Sequence, residues 1–598
     1  MKKAKTYNNV TKQFYRPEIY KCLDCCKTIK RAVTIAERTV VTLNGIIKMT
    51  HGGYRCKNPE CEAKDRTYRS AAADALVLPK RTFGLDVVLL IGYLRLKKHQ
   101  TLDETHEEVS ERLKEMGTSI SRREIMYLFD DFCKVMRAAS DAAQDEEWKK
   151  QVEKNKGIIV SIDGIQPDKG NETIYIVRDA LTGRMLASEN ATESSAERLK
   201  EILEPVVRLN LPILGTISDS QKAEVLALSQ LWPDVPHQVC HFHVLRDAGQ
   251  PIFDEDKQVK TEIRKNLQTK IRNLRKQIKS QMKRAGEAEA GQLAILDDYS
   301  AAVQTAVNRD GTAPLDYAGI ASYDELDKIA ASLEKLDKKW GPLSLECKRR
   351  LDRLKKILLI REAWRGQIES LKRMRQWVLS AEHILDVSWA DPKVEGDSPA
   401  QSSCHPKESH SSVKEQKKNK CVTNKEVEIR FDSWRTEIGK QLEEGVLSQK
   451  ECERLKDFLR VLDNAGPYLI QCYDLPDFPR TNNDTEGTIR KMKTGYRRIT
   501  GRKNWNPYLL RYGRYIAFYD WWGRDQKRWQ QLTKLAEKID PAYFRQMQIE
   551  AKLVQSGQLK RFRFRHQTEK YLESLEDRWD AVTANAAINT IAQTTSLH

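Results

Sequence analysis

The sequence predicts a multidomain α+β protein, with an N-terminal zinc ribbon, a helix-turn-helix unit, a mixed α/β core and a long all-helical tract. Three observations predict it. Two close cysteine pairs stand before residue 62, strand-like apolar runs alternate with amphipathic helices between 157 and 240, and residues 255–475 are rich in Lys, Arg, Leu and Glu. At 598 residues the chain exceeds what one hydrophobic core holds. With 40% hydrophobic and 31% charged residues, a largely disordered chain is excluded. No run of 18 apolar residues occurs, which excludes a membrane-spanning helix. The basic opening MKKAKTYNNV leads into TKQFYRPEIY, so no signal peptide is expected.

Residues 1–75 read as the zinc-ribbon module. Cys22 and Cys25 have C-x2-C spacing, Cys56 and Cys61 have C-x4-C spacing, and a β-rich stretch between them can fold as a hairpin. A module this small needs such a staple. Four thiolates leave no open position for substrate, so this Zn²⁺ is structural; reduced buried cysteines are the plainer alternative. Cys26 and His51 are spare candidates.

Residues 76–150 read as helix, Gly117 turn, helix, with Ser119 or Ser121 capping the second helix and Glu124 placed for a capping box. That is the helix-turn-helix pattern, although a plain helical hairpin reads the same. Arg122 and Arg123, at the second helix's start, are the candidate DNA contacts.

Residues 151–254 give strand-strand-strand-helix-strand-helix-strand-helix, a mixed α/β layout. Residues 255–475 form the helical tract, with a Ser- and Lys-rich linker at 390–425. Residues 476–535 carry the densest basic stretch: 490–528 hold 12 Lys/Arg against Asp520 and Asp525, a local +10. Residues 536–598 are C-terminal helices to about 580, then a frayed tail. The whole chain carries 103 − 85 = +18, and such a balance points to a polyanionic partner. Trp505, Tyr508, Tyr512, Tyr515, Trp521 and Trp522 read as core; stacking on unpaired bases is the other reading.

Two acids sit at or beyond strand ends of one predicted sheet, Asp163 after IIVSI and Asp219 after LGTIS. Carboxylates so placed can converge, and hard oxygen ligands on a rigid sheet suit Mg²⁺. Glu486 lies in a polar, strongly basic helix start, TNNDTEGTIRKMK, where Asn482, Asn483, Asp484 and Thr485 offer N-cap chemistry. Composition alone does not select this trio, since a strand-end Asp equally serves as a turn residue or cap. Asp168, Asp179, Asp247 and Asp484 are alternative ligands.

The trio and the Cys240-His-Phe-His243 element resemble DDE transposases with an RNase H-like catalytic core, of the bacterial insertion-sequence and Mutator-like group. In that pattern the first Asp lies on the first core strand (SIDG, Asp163), the second follows the fourth strand (ISDS, Asp219), and the Glu follows a polar TN segment (TNNDTE, Glu486). The resemblance implies an RNase H-like core interrupted by the helical insertion, with Asp163, Asp219 and Glu486 holding catalytic Mg²⁺ or Mn²⁺. It implies cleavage of phosphodiesters at a mobile element's ends and transfer of the 3′-hydroxyl strand to target DNA. His243, Asn482, Asn483, Arg490, Lys493, Arg497, Arg498, Arg502 and Lys503 are the DNA contacts it implies. The partners are double-stranded DNA (terminal inverted repeats and target) and a second copy in a homodimer or higher synaptic complex. No membrane partner is expected, and the location is cytoplasmic, at a bacterial nucleoid. A non-catalytic DNA-binding derivative and a structure-specific nuclease of the same core are the alternatives.

Overall fold

The computed structural model describes residues 7, 9–167, 170–339, 344–387 and 422–595. Asp168 and the expected linker up to residue 421 lie outside them. Near the N-terminus, β2 (Ile29–Thr42) and β3 (Gly45–Cys56) form the antiparallel hairpin that the spacing predicts between the cysteine pairs. An unanticipated strand, β1 (Val10–Tyr15), pairs parallel to β3 and completes the order β1-β3-β2.

Five helices follow: α1 (Ala71–Leu76), α2 (Leu85–Gly92), α3 (Leu102–Lys114), α4 (Arg122–Ala138) and α5 (Glu146–Asn155). Gly117 turns the chain between α3 and α4 at φ +68°, a conformation that disfavours residues with a Cβ. Ser121 caps α4 by accepting from the Glu124 N–H at 3.2 Å. The full capping box forms one helix earlier, where Thr101 and Glu104 bond reciprocally. Residues of α4 from Ile125 to Met136 are mostly buried, and Gly92 lets the Phe132 ring pack against the backbone of α2, where a Cβ would stand 2.2 Å from that ring.

The central sheet contains β4 (Ile158–Ile165), β5 (Thr173–Asp179), β6 (Met185–Ala191), β7 (Ile213–Ser218) and β8 (His237–Val239) in the order β6-β5-β4-β7-β8. The first three are antiparallel neighbours, and β7 and β8 add parallel to β4. β4 is the middle strand and is buried from Ile158 through Asp163, which is why IIVSI reads as a continuous apolar run rather than an alternating one. The crossovers are α6 (Ala196–Val207) and α7 (Lys222–Leu231).

The helical insertion comprises α8 (His241–Met282), α9 (Glu287–Ala306), α10 (Ala318–Lys339), α11 (Leu345–Leu359), α12 (Arg365–Leu385), α13 (Asn424–Lys440) and α14 (Gln449–Leu469). Ile263, Leu267, Ile271, Leu274 and Ile278 recur on one stripe of α8 and are fully buried. Each contributes about 2 kcal/mol of burial before entropy is counted. The insertion has its own hydrophobic core, which reaches the sheet at Val239. The border expected at 254/255 runs through α8, which continues unbroken from the His241 end.

The chain returns with α15 (Asn483–Thr500), α16 (Asn506–Ile516), α17 (Tyr519–Trp522), α18 (Gln526–Ala536), α19 (Pro541–His566) and α20 (Thr568–Thr595). α20 extends beyond the helix end expected near 580. One core joins α2 and α4 to the sheet and to α16–α19. Phe129 packs on Tyr512 with ring centroids 5.4 Å apart, and the Trp522 indole donates to Ser140 Oγ at 2.7 Å. Residues 76–150 are thus built into the body of the protein. Tyr515, Trp521 and Trp522 are buried, as the core reading expects, while Trp505, Tyr508 and Tyr512 are half-buried. Among the described residues, no helix is long and apolar enough to cross a membrane.

Candidate metal and carboxylate sites

The hairpin brings the cysteine pairs together because Cys56 ends β3 opposite Ile29 of β2, just past the turn that carries Cys22 and Cys25. The Cys22 and Cys61 sulfurs are 3.7 Å apart, those of Cys25 and Cys56 3.4 Å, and all four lie within 4.8 Å of one another. A tetrahedral ion with Zn–S bonds of about 2.3 Å sets its thiolates about 3.8 Å apart, so the four cysteines can hold such an ion. The Cys25 backbone N–H and the Tyr68 hydroxyl hold the Cys22 thiol down to about 6, while burial drives that of Cys61 up to about 12. A bound cation would favour the thiolate at all four. Cys26 is exposed, and His51 accepts from the Ser70 N–H at 3.0 Å, so neither spare candidate joins the cluster.

The second site lies on the central sheet. Ser161 of β4 pairs with Ile217 of β7 in parallel register. Two residues further along each strand direction stand Asp163 and Asp219, level across neighbouring chains that are about 4.8 Å apart. Asp163 sits within β4 rather than at its end, opposite Ile176 of β5; Asp219 is the first residue beyond β7. Both are buried, at 4% and 9% exposure. Burial first, then the charges of Asp219 and Glu486, push the Asp163 carboxyl up to about 7. Asp163 therefore lies within reach of the charges of both other acids that the resemblance singles out. The three are spaced more openly than the thiolates: among the described residues, only the cysteines bring three or more such ligand atoms within 4.8 Å.

Asp219 and Glu486 each have a support. Asp219 accepts from the Gln221 backbone N–H at 2.8 Å and from its side-chain amide at 2.9 Å. Glu486 lies in the first turn of α15, and its Oε1 is 3.4 Å from His243 Nε2. Burial, and then Arg246, lower the His243 pKa against the pull of Glu486. The α15 terminus is fixed to β4 by Asn482. Its Oδ1 accepts from the Ser161 hydroxyl and, at 3.1 Å, from Thr485; its Nδ2 donates to the Ile162 carbonyl at 2.8 Å. Arg178 of β5 donates to the Asp484 carbonyl at 2.7 Å and to the Thr488 hydroxyl, and pairs with Asp520.

Two expectations are corrected here. Asn482 does occupy the N-cap position, yet its side chain makes no cap bond and is spent on the sheet; at 3% exposure it does not present itself to DNA. His243 is also buried and faces Glu486 instead of a phosphate. Of the alternative ligands, Asp179 is occupied by the Trp148 indole and the turn at Thr182, and Asp247 pairs with Arg246.

Asn483, Arg490, Arg497, Arg498, Arg502 and Lys503 are exposed. Lys493 lies over the Trp505 ring at 4.2 Å. Arg122 pairs with Asp103, and Arg123 donates to the Tyr127 hydroxyl at 2.7 Å. Ser161, Arg178, Gln221 and Glu224 were missed by sequence reasoning. An arginine inside the apolar run TIYIVRD was the signal available for Arg178. Glu224, on the first turn of α7, is fully buried, and burial together with Asp219 and Asp163 raises its carboxyl well above the usual range.

No family model matches the chain, and no curated protein matches it.

Proposed function

We propose that the chain is a DDE transposase with an RNase H-like core, a helix-turn-helix at α3–α4 and a Zn²⁺ ribbon. One observation carries the reading. Asp163 of β4 stands level with Asp219, the first residue beyond the adjacent parallel strand β7 of a β6-β5-β4-β7-β8 sheet, and Glu486 lies on the first helix after the insertion, close enough for its charge to act on Asp163.

In this reading Asp163, Asp219 and Glu486 hold Mg²⁺ or Mn²⁺, which supplies the positive charge that activates an attacking oxygen and stabilises a leaving one. The chain's own groups do the placing. Gln221 fixes Asp219, His243 fixes Glu486, and Asn482 with Arg178 locks the α15 terminus that carries Glu486. Arg490, Arg497, Arg498, Arg502 and Lys503, with Asn483 and Lys493, line the approach and grip phosphates; Arg122 and Arg123 serve the same DNA at the start of α4. Water attacks a phosphodiester at the element's end and the P–O3′ bond breaks; the freed 3′-hydroxyl then attacks a target phosphodiester, and a new P–O bond forms as the target's own P–O3′ bond breaks and its 3′-oxygen leaves as a hydroxyl. Double-stranded DNA is the substrate. Joining two ends calls for a homodimer or larger complex, and the bacterial nucleoid is the place of action.

The test uses oligonucleotides carrying the DNA that flanks the gene, with Mg²⁺ or Mn²⁺, and compares wild type with Asp163→Asn. Cleaved and joined products from wild type, lost in a variant that still binds the DNA, are expected. Cleavage without joining would favour a nuclease, and binding without cleavage in either metal a non-catalytic derivative. Equal cleavage by both proteins would sink the assignment of Asp163.

A further inference from the structure

Several deeply buried acids among the described residues are provided with donors by other parts of the chain. Asp131 is held by Arg81 and Lys134 at its carboxylate, Asp256 accepts from the Gly319 and Ile320 N–H groups, and Glu451 accepts from Ser448, Ser370 and Arg373. Glu224 is as deeply buried, yet among the described residues no cationic side chain pairs with it: what meets its carboxylate is the Asp219 carboxylate and the Asp219 backbone N–H. The charges that act most strongly on it are those of Asp219 and Asp163, which repel it.

Leaving such a group uncompensated costs several kcal/mol, so a fold that retains it has a use for it. One orphaned polar atom borders the same acids. His243 Nδ1 is buried without a partner, on the ring whose other nitrogen faces Glu486. Unsatisfied buried polar atoms are rare in a native fold, and this one stands beside the cluster of acids.

We propose that Glu224 is a fourth carboxylate of the cation site, binding together with Asp219 a divalent, oxygen-preferring cation of the Mg²⁺ or Mn²⁺ class. The inference rests on reading Asp163, Asp219 and Glu486 as cation ligands, and it enlarges that set by a residue from α7. Glu224 lies five residues beyond Asp219, on the first turn of the helix that Gln221 opens, so the loop that orients Asp219 also sets Glu224. A cation there would replace the proton that two buried carboxylates in contact must otherwise share.

The test is Mn²⁺ binding to the full chain without DNA, read by calorimetry and by the rise in melting temperature that the ion produces. Wild type is compared with Glu224→Gln, Glu224→Asp and Asp163→Asn. Glu224→Gln should weaken Mn²⁺ at least tenfold and lose most of the metal-induced rise. Its metal-free melting temperature should equal or exceed that of wild type, because a buried repulsion has been removed. Glu224→Asp, which keeps a carboxylate on a shorter stem, should bind with intermediate affinity; it also serves if the glutamine variant fails to fold. Wild-type affinity in Glu224→Gln, alongside loss in Asp163→Asn, would overturn the assignment of Glu224 and leave the proposed function standing. No Mn²⁺ binding by wild type at millimolar concentration would overturn both the fourth ligand and the cation reading beneath it.

Discussion

Asn482 is the joint between the sheet and the helix that carries Glu486, and removing its side chain has a calculable cost. In Asn482→Ala the Ile162 carbonyl loses the amide that reaches it at 2.8 Å, in a place closed to water. A stranded buried acceptor costs about 1–3 kcal/mol. The two hydroxyls fare better, since Ser161 and Thr485 are already 3.0 Å apart and can bond each other; their loss adds about 1 kcal/mol. The sum is about 2–4 kcal/mol, concentrated at the contact of β4 with α15. In a chain of this size with two large separate hydrophobic cores, hydrogen exchange localises the loss better than a global melt. Amides of β4 and of the first two turns of α15 should exchange roughly thirty- to several-hundred-fold faster, at tenfold per 1.4 kcal/mol. Asn482→Asp should be worse despite its similar shape, because it sets a carboxylate against the Ile162 carbonyl, one residue from Asp163. Unchanged exchange in these segments, or acceleration spread evenly to the cysteine module, would refute the reasoning.

Three further outcomes are expected. Cys56→Ser should remove bound zinc, measured by elemental analysis, and expose the β2–β3 hairpin to protease while the sheet stays protected. Burial holds His237 and His241 at about 4, the latter despite the Leu469 carbonyl bonded to its ring. The unfolded chain takes up these two protons near 6.5 and the fold refuses them until about 4. Stability is therefore unaffected by these groups above 6.5 and falls as pH drops through that window, by about 3 kcal/mol for each histidine. Melting followed from pH 7 to pH 4 should steepen there, and His237→Gln should flatten part of the slope. Arg497→Ala combined with Arg498→Ala should weaken binding to any duplex and reduce the slope of log affinity against log salt by up to about 2, at nearly one per phosphate contact.

What could be read from the sequence divides by the range of the interactions involved. The cysteine cluster was legible because two short spacings and a hairpin determine it locally. Asp219 was legible as a strand-end acid, since an apolar run followed by Asp marked its boundary, whereas β4 runs on through Asp163 to Ile165. Glu486 needed the resemblance, for nothing within its helix distinguishes it from a solvated first-turn acid. Asn482 was misread because Asn before a helix is ordinarily a cap, whereas its partner Ser161 lies 321 residues away. Glu224 carried no local signal at all. The start of the insertion was misplaced because Gly249 and Pro251 look like breakers in HFHVLRDAGQPIF; in the fold α8 runs through both, and Gly249 packs against Val378.

The helical insertion closes at a narrow neck. The His241 N–H donates to the Arg480 carbonyl at 3.1 Å, and Gln238 bonds Leu469 and Gln471 at 2.9 Å each. A detour of 239 residues thus begins and ends within one hydrogen bond. For folding, this decides an order of events. Bringing Glu486 to β4 across an open coil of that length carries a large closure entropy, but an insertion that has first collapsed on its own core reduces the gap to a few residues. The insertion is then best seen as a clasp, whose prior folding makes the distant halves of the sheet site neighbours. A chain shortened by joining the two sides of the neck should still assemble the sheet and α15, and should do so faster than the full protein.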